Sequence, residues 1–539
     1  MQMKKMKRSV LSIAMAAVTT AGFAGTTFYV SPDATGAGDE DFSEEHPGTL
    51  QNAIAEATAR SSWADGDEIV LLPSAGSTKG VYSCAGLTPD ETRYAYFFCD
   101  KAYLKIRGYS GNRDDIELQG KGYEDYRCFR VKAQTSFSGL SFRDFVLPLY
   151  LPKGGSGKGS VAGGENIAAD GSHITSGGGA ICSQSDNWGG VASVVSNCAF
   201  YACQAGYGGA VQGCTVMNSL FQSCLFSGAY NAVGGGGAAK STCLNCVFDS
   251  CASAADTLYN ARGGGTMNCI NSNCLFMSCR AYMGAATATS AAWTSTGGEN
   301  VFCVFTNNTV VDSGSGVCVC GQSKQCIFVD NRGVGLIYGL TRACLTDRCL
   351  FVRNETSLGL VSSDCYNSLI VNNVCRGQGG GRALCVNGRF FNCTIVSNEV
   401  DAAVFGGATK GIAYNCLIAE NAVGFGYVGQ GSEAELYNCT ADIRSHGNSV
   451  VRAFSQDDNL KNGIRRGVDP MWKVPDMPIG IKVRDSITGR GSNLMSDETT
   501  PIWASADVDY AGQPRLREGG VVDIGCHARV PGGYLLRLR

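Results

Sequence analysis

Short apolar runs recur along the middle of the chain, and polar residues and glycines separate each run from the next. The clearest copies read Asn-Cys-x-Phe-x-x-Cys, as at Asn197, Asn245 and Asn273. From Cys198 to Cys439 the chain advances 241 residues in ten steps, a mean period of about 24 residues. A repeat of this length is typical of a solenoid, in which each repeat buries its apolar side against its neighbours. The eleven copies begin at Asn197, Asn218, Asn245, Asn273, Asn308, Gln325, Arg348, Asn367, Asn392, Asn415 and Asn438.

The apolar run in each copy predicts a strand. It has four or five residues, is rich in Phe, Val, Ile and Cys, and lies between glycine clusters. Helices need ten or more residues with a 3.6-residue period, so these brief runs favour strands. The 72 glycines also leave few uninterrupted stretches of helical length. The sequence therefore predicts an all-β chain folded as one parallel β-helix of roughly 14 coils stacked about 4.8 Å apart.

Stacked coils turn each repeat position into a column of side chains. The column two residues after the first cysteine is predicted to face the core, and the column five residues after it to end in an asparagine ladder. There, amides would bond from coil to coil and Asn would adopt the left-handed backbone of a tight turn. The copy at Asn308 places Thr309, Val311 and Gly314 in these columns. The apolar column of Val247 lies between cysteine and Phe, and alternation leaves its direction open.

The first 24 residues have the features of a secretory signal. Four basic residues precede an apolar stretch at 10–18, and Gly22-Phe23-Ala24 offers small residues for cleavage. The alternative, an uncleaved membrane anchor, requires a longer apolar stretch. Removal of this segment changes the formal net charge from −3 to −7. A mildly acidic chain argues against a nucleic-acid partner, which needs concentrated Lys and Arg.

The 27 cysteines leave three alternatives open. Their odd number, and the presence of Ser219, Thr309 and Ser368 in the first column, favour small buried thiols. Export and the neighbouring positions of the second-column cysteines favour disulfides between coils. Cys243 and Cys246 have the spacing of half a zinc site, although each also fits a repeat column.

Residues suited to catalysis are sparse in the repeats. The catalytic residues remain unknown, no nucleophilic triad is predicted, and we assign no cofactor or metal ligands. Residues 33–45 carry six carboxylates, for which a solvated loop and a calcium site are the two interpretations. The Asp doublets 114–115 and 457–458 lie outside the best repeats. The histidines are expected in exposed loops or terminal regions: His46, His173, His446 and His527.

Three parts of the chain resemble known families. The N-terminal region resembles the pectin-lyase-like right-handed β-helix superfamily at residues 28–31, 48–54, 66–72 and 80–82. Members of that superfamily cover the first coil with a short amphipathic helix, which the resemblance places here at 50–59. The first regular coil is then expected at 105–108. Gly-Gly-Ala-Ile at 178–181 and Phe-x-x-Asn at 328–331 resemble repeats of chlamydial polymorphic outer-membrane proteins, which are autotransported adhesins. Those carry a membrane barrel, for which the roughly 95 residues after the last repeat are too few. The C-terminal region is similar to the closing region of "choice-of-anchor Q" β-helix proteins at residues 469–472, 507–515 and 522–525.

These resemblances imply a right-handed β-helix and divide the chain into a signal peptide (1–24), an N-terminal cap with the first coils (25–100), the regular β-helix (101–445, with a flexible insertion at 153–179) and an irregular C-terminal region (446–539). They imply an exported bacterial protein, secreted or on the outer cell surface, monomeric and without a transmembrane segment in its mature form. The expected function is that of a non-catalytic, adhesin-like or envelope protein that contacts a polysaccharide or another surface. The alternative is a polysaccharide lyase or glycoside hydrolase, which would need clustered Asp, Lys or Arg from three adjacent coils.

Overall fold

A computed structural model describes most of the chain between residues 25 and 452, together with parts of 500–522. It does not describe residues 1–24, 37–40, 61–65, 91–94, 124–125, 148–164, 168–172, 176, 184–192, 207, 227–233, 254–261, 290–297, 320, 339–344, 363, 377–382, 387, 402, 407–411, 420, 424–426, 431–434, 438, 442–449, 453–499, 505, 510–512, 517–521 and 523–539.

Two long parallel sheets run the length of the described solenoid, because each holds the equivalent strand of successive coils. Sheet 1 has sixteen strands, in this order: Thr27–Val30, Glu68–Leu71, Leu104–Gly108, Thr135–Ser138, Ser193–Ser196, Cys214–Met217, Thr242–Leu244, Ile270–Ser272, Glu299–Val301, Gln322–Lys324, Leu345–Asp347, Asp364–Tyr366, Arg389–Phe391, Ile412–Tyr414, Glu435–Tyr437 and Val450–Arg452. Sheet 2 has fourteen: Gly80–Ser83, Ile116–Gln119, Ser141–Arg143, Ala199–Tyr201, Leu220–Gln222, Val247–Asp249, Leu275–Met277, Val304–Thr306, Ile327–Val329, Leu350–Val352, Leu369–Val371, Thr394–Val396, Leu417–Ala419 and Thr440–Ala441.

The third face of the solenoid is formed by two further parallel sheets. One contains Ala95–Cys99, Arg127–Val131, Ile181–Ser183, Val211–Gln212, Ala238–Ala239, Thr266–Met267 and Thr287–Ala288. The other contains Gln204–Ala205, Leu225–Phe226, Ala252–Ser253, Arg280–Met283, Thr309–Ser315, Arg332–Tyr338, Glu355–Ser362, Val374–Cys375, Ala383–Val386, Glu399–Val400, Ala403–Gly406, Ala422–Val423 and Tyr427–Gln430. These pairings confirm the predicted all-β, parallel β-helix fold.

Both ends of the solenoid have strands outside the predicted regular β-helix at 101–445. Sheet 1 begins at Thr27–Val30, so two rungs precede the strand Leu104–Gly108 and lie within residues 25–100, where the cap and the first coils are predicted. It continues to Val450–Arg452, beyond the predicted end at 445. Within the predicted insertion 153–179, Glu165–Ile167 and His173–Thr175 pair as a short antiparallel hairpin.

The Phe column faces the core, as predicted. Seven successive ring pairs stack with centroids 4.6–5.1 Å apart and planes within 14° of parallel. One ring per coil therefore fills the same part of the interior at the strand spacing, a distance at which aromatic rings pack favourably. The column between cysteine and Phe faces outward; Val247 and Leu275 in it are half-buried, whereas Leu350 and Leu417 are buried. The stacked rings are Phe142, Phe200, Phe221, Phe248, Phe276, Phe305, Phe328 and Phe351.

The predicted register of one coil is wrong by six residues. The structure pairs Phe305 with Phe276 before it and Phe328 after it, so Cys303, Phe305 and Asn308 occupy the three columns. The prediction had placed Thr309, Val311 and Gly314 there. Most copies have Asn before the first cysteine, but here Phe302 precedes Cys303. The copy that begins at Phe302 therefore lacks the residue by which the others are recognised in the sequence.

The asparagine ladder is present, and it is buried from Asn308 to Asn398. Its amides donate to the next Asn Oδ1 over 2.8–3.0 Å, and every Nδ2 also reaches a backbone carbonyl. From Asn308 to Asn398 the expected left-handed backbone belongs instead to the residue before the ladder position, for example Asn372 with φ 53°. The ladder contains Asn308, Asn331, Asn354, Asn373, Asn398 and Asn421.

The 24 cysteines that the structure describes are buried free thiols. Thiols of the first column donate to the backbone of a preceding coil, as from Cys274 to the carbonyl of Cys243 at 3.4 Å. Ser219 fills one position of this column, where its hydroxyl accepts from the Cys198 amide at 3.1 Å. Burial raises the pKa of the Cys198 thiol to about 12. Of the three alternatives for the cysteines, the described residues therefore agree with the first, in which small buried thiols pack in the core and are unreactive.

A helix, Leu50–Ala59, packs against the first strands of the solenoid. Thr49 caps its N-terminus by accepting from the Asn52 amide at 3.2 Å. Its apolar face, including Ala53 and Ile54, belongs to the same buried cluster as the core of the coils. The helix and its buried face agree with the sequence prediction.

A segment that we call the C-terminal strap, comprising the described residues between 500 and 516, lies on the outer surface of the last coils. Its Trp503 Nε1 donates to Asn392 Oδ1 at 2.8 Å, and its buried Arg515 Nε donates to Asn367 Oδ1 at 3.0 Å. Asp509 Oδ1 accepts from the Gln513 amide at 2.7 Å, and Val508 forms an antiparallel bridge with Pro514. The motif at 507–515 thus fastens the chain back onto its own solenoid.

Candidate functional site

The outward side chains of sheet 1 change character along the solenoid. In the first coils Glu68 pairs with Arg107, and in the coils that follow the outward side chains are small or aliphatic, as at Ser196 and Leu244. In the last coils they form an aromatic stack with centroids 4.7–5.0 Å apart, which is packed against Trp503 and Val522: Tyr366, Phe391, Tyr414 and Tyr437. Between these two regions the outward positions carry charges, and these charges form the candidate site.

Four successive strands bring acidic and basic groups together on this surface. Lys324 Nζ lies 3.4 Å from Glu299 Oε1 on the preceding coil. On the following coil, Asp347 Oδ2 lies 3.1 Å from Arg348 Nε, and the Lys324 charge also acts on Asp347. One coil further, Asp364 begins the strand next to Asp347. These side chains are partly exposed, except for the buried Asp364.

Asp364 is held by the coil that follows it. Arg389 donates its backbone amide to Asp364 Oδ1 at 3.0 Å and its Nε to Oδ2 at 3.1 Å. The Arg389 guanidinium also lies 5.7 Å from the centroid of the Phe391 ring. A buried carboxylate with a bidentate guanidinium partner is a rigid feature. It forms the boundary between the charged surface and the aromatic stack.

The Asp347 carboxyl is the group whose ionisation the site alters most clearly. Burial raises its pKa above the ordinary value, although Arg348, the Asn367 amide and Lys324 each oppose the rise. Asn367 is itself fixed from the other side, because its Oδ1 accepts from Arg515 and its Nδ2 donates to the Val508 carbonyl at 3.2 Å. A carboxyl that gains a proton more readily than usual, next to cations, can act as an acid or base or bind a polar ligand.

The residues singled out from the sequence do not assemble here. His46 is exposed on a turn, with Nδ1 3.9 Å from Asp41 Oδ2. Asp115 accepts from Ser110 and Asn112 within its own turn. His173 contributes backbone to the hairpin, and its side chain is outside the described residues, as are His446, His527 and the doublet 457–458.

The charged surface was missed although a signal for it exists. The column two residues before the first cysteine reads Val301, Lys324, Asp347, Tyr366 and Phe391 once the coil at Cys303 is in register. Read as a column, this switch from aliphatic to charged to aromatic residues locates the site.

Two further findings concern only the residues that the structure describes. No group of three or more His, Cys, Asp or Glu side chains is placed to hold a metal ion, which includes Cys243 and Cys246 and the described part of 33–45. The helix in this part of the chain is too short to cross a membrane.

Comparisons with known proteins give likeness in fold. No family model matches the chain, and no curated protein does. Among solved structures, a rhamnogalacturonan lyase is 12% identical over 69% of this chain and 82% of its own, with a TM-score of 0.29. The PL6 family alginate lyase AlyGC is 11% identical over 84% and 54%, with a TM-score of 0.38. PfbA, a surface adhesin of Streptococcus pneumoniae, is 12% identical over 76% and 90%, with a TM-score of 0.28.

Identities and scores at this level assign neither an activity nor a ligand to the present chain. The pairing of equivalent strands in successive coils is the stronger observation, because it comes from the chain itself. By that pairing, the chain is a parallel β-helix protein.

Proposed function

We propose that the protein is an exported, non-catalytic surface protein that binds a polysaccharide along the charged surface of sheet 1. The observation that supports this is the placement of Glu299, Lys324, Asp347 and Arg348 on successive coils of one outer face. Their spacing of about 4.8 Å per coil presents polar groups at regular intervals to an extended ligand. Carboxylates and guanidinium groups in fixed positions are suited to binding hydroxyl and acidic groups of sugars.

A second candidate is supported by one specific feature of the same surface. Asp347 has a raised pKa and lies beside Arg348 of its own coil and Lys324 of the preceding coil. Titratable groups with altered pKa values that lie beside cations are candidates for general acid and base catalysis. This arrangement supports a polysaccharide lyase or glycoside hydrolase as the alternative.

A polysaccharide panel separates the two functions. The purified protein is incubated with neutral and acidic polysaccharides and scored for binding, for new reducing ends and for the ultraviolet absorbance of an unsaturated sugar end. Binding without products is the expected result. Released products would establish the enzyme in place of the proposed function, and the absence of both binding and products would contradict both.

Variants then test the location of the binding surface. Lys324→Gln is expected to weaken binding at least about fivefold, because it removes the cation between Glu299 and Asp347. The matched control is Arg353→Gln, which removes an ion pair to Asp330 at 2.8 Å on a different turn. Equal binding by both variants would show that the charges of sheet 1 are structural ion pairs.

A further inference from the structure

The turn between sheets 1 and 2 has one unusual side chain. The residue before each first-column position adopts a left-handed backbone with φ between 49° and 56° in ten described coils. Seven of them have Asn, which tolerates this conformation because its short side chain can hydrogen-bond locally. The ten are Asn197, Asn218, Asn245, Asn273, Phe302, Gln325, Arg348, Asn367, Asn392 and Asn415.

Phe302 occupies such a position without the local hydrogen bonds of Asn and without full burial of its side chain. Its φ of 56° is strained for a bulky aromatic residue, which cannot make the local hydrogen bonds of Asn. Burial does not compensate, since 51% of Phe302 is exposed. A strained backbone at a half-exposed aromatic residue is the kind of outlier that supports a hypothesis of function.

The position of Phe302 links it to the charged surface. It directly follows the strand Glu299–Val301, and its backbone amide donates to the Lys324 carbonyl at 3.0 Å. The outward position next to Glu299 on the preceding coil is Ile270, which is 50% exposed. The strand Glu299–Val301 is therefore bordered by an exposed aliphatic side chain on the preceding coil and by an exposed aromatic residue at the turn that follows it.

We propose that Phe302 is the stacking platform of the polysaccharide site, against which the apolar C–H face of one sugar ring packs. This inference rests on the proposed function and adds to it the residue that holds the ring. Ligand sites commonly combine an aromatic surface with a few fixed polar groups, and Glu299, Lys324 and Asp347 supply these here. The exposure and strain of Phe302 follow from this role, because the ring is covered only when ligand is bound.

Phe302→Asn tests the role, because it restores the residue type of the other turns. It is expected to raise the melting temperature by about 1–2 °C through loss of strain, and to weaken polysaccharide binding at least about tenfold. Phe302→Trp keeps an aromatic ring and is expected to retain binding. An unchanged affinity in Phe302→Asn, or a lower melting temperature that marks a packing role, would overturn the proposal.

Tyr103 provides a matched control. It also has a left-handed backbone, with φ 64°, and 52% of it is exposed. It lies beside the strand Leu104–Gly108, six strands and about 29 Å from Glu299–Val301 in sheet 1. Tyr103→Asn should relieve similar strain and leave affinity unchanged. If the unmodified protein binds no polysaccharide, the proposed function fails as well; if it binds and Phe302→Asn binds equally, only the role of Phe302 is lost.

Discussion

Single polar side chains join one coil to the next through hydrogen bonds. Asn354 illustrates this, because its Oδ1 accepts from the backbone amide and the Nδ2 of Asn331, both at 3.0 Å. Its own Nδ2 donates to Asn373 Oδ1 and to the Phe328 carbonyl, both at 2.9 Å. All of these groups are buried, so each bond avoids the cost of an unpaired polar group in the interior.

Asn354→Leu should therefore destabilise the protein strongly. The substitution has similar volume but removes the acceptor of the buried Asn331 backbone amide and the amide that donates to the Phe328 carbonyl, while Asn373 Oδ1 keeps only the Asn354 backbone amide. We expect the free energy of unfolding, measured by urea titration, to fall by about 3 kcal/mol. The control Asn245→Gly removes an exposed amide from a left-handed turn and should change it by less than about 0.5 kcal/mol. Similar losses in both variants would contradict this account of the ladder.

The columns that face the core could be predicted from the sequence, because burial restricts them to Phe, Ile, Cys or Asn in coil after coil. The register of the coil at Cys303 could not, since Phe302 stands where Asn usually marks the start. The charged surface was missed for a different physical reason. An outward charge resembles any solvated residue until stacking shows that Lys324 lies between Glu299 and Asp347.

At the scale of elements, the helix Leu50–Ala59 is attached to the first coils by a buried ion pair. Lys101 Nζ donates to the Ala57 carbonyl near the helix C-terminus at 2.8 Å and also bonds Asp67. Asp67 Oδ1 accepts from the Thr26 amide at 2.9 Å. Burial alone would raise the pKa of Asp67, but Lys101 and the Thr26 amide outweigh it and lower that pKa.

Asp67→Asn should weaken this attachment in a pH-dependent way. A lowered folded-state pKa means that the carboxylate contributes stability above its ordinary pKa near 3.8, and that this stability is lost as the pH falls through the folded value. The variant should lose about 3 kcal/mol of unfolding free energy at pH 7, because it leaves Lys101 buried beside a neutral group. Urea titrations at several pH values should show the difference from wild type shrinking under acid.

The half-exposed pair of Glu117 and Arg143, 2.9 Å apart, provides the control for this experiment. Glu117→Gln should cost only about 0.5 kcal/mol, as is usual for pairs at the surface. A loss for Asp67→Asn that is equally small, or that does not vary with pH, would mean that the helix is held by its apolar face alone.

At the scale of the whole molecule, the strap connects coils that the solenoid itself joins only one after another. Trp503 contacts the ring of Tyr366 edge-on, with centroids 5.8 Å apart, and bonds Asn392 on the next coil. Arg515 lies over Trp503 at 5.6 Å and bonds Asn367. The strap therefore ties two coils together from outside and adjoins the Asp347 side of the candidate site.

Trp503→Ala should release the strap while the solenoid core stays folded. The loss of a buried aromatic side chain costs about 3–5 kcal/mol, but the cost is confined to the strap and the outer face beneath it. Hydrogen exchange should become faster at Val508 and Arg515 and remain slow at core strands such as Val247–Asp249. Faster exchange along the entire solenoid, or none at the strap, would contradict this division.

The repeated columns have a consequence for how such a chain can vary in length. Residues 246–273 make one circuit of the coil, from the cysteine of one copy to the residue before the cysteine of the next. The surfaces that this circuit offers above and below are alike: a Phe ring, a cysteine and a left-handed Asn. If a whole circuit were lost or duplicated, the coils brought together would still present matching columns to each other. Loss or duplication of part of a circuit would put these columns out of register. The molecule is thus built so that its reach can change in whole turns while its ends, and the surface carrying Phe302, stay the same.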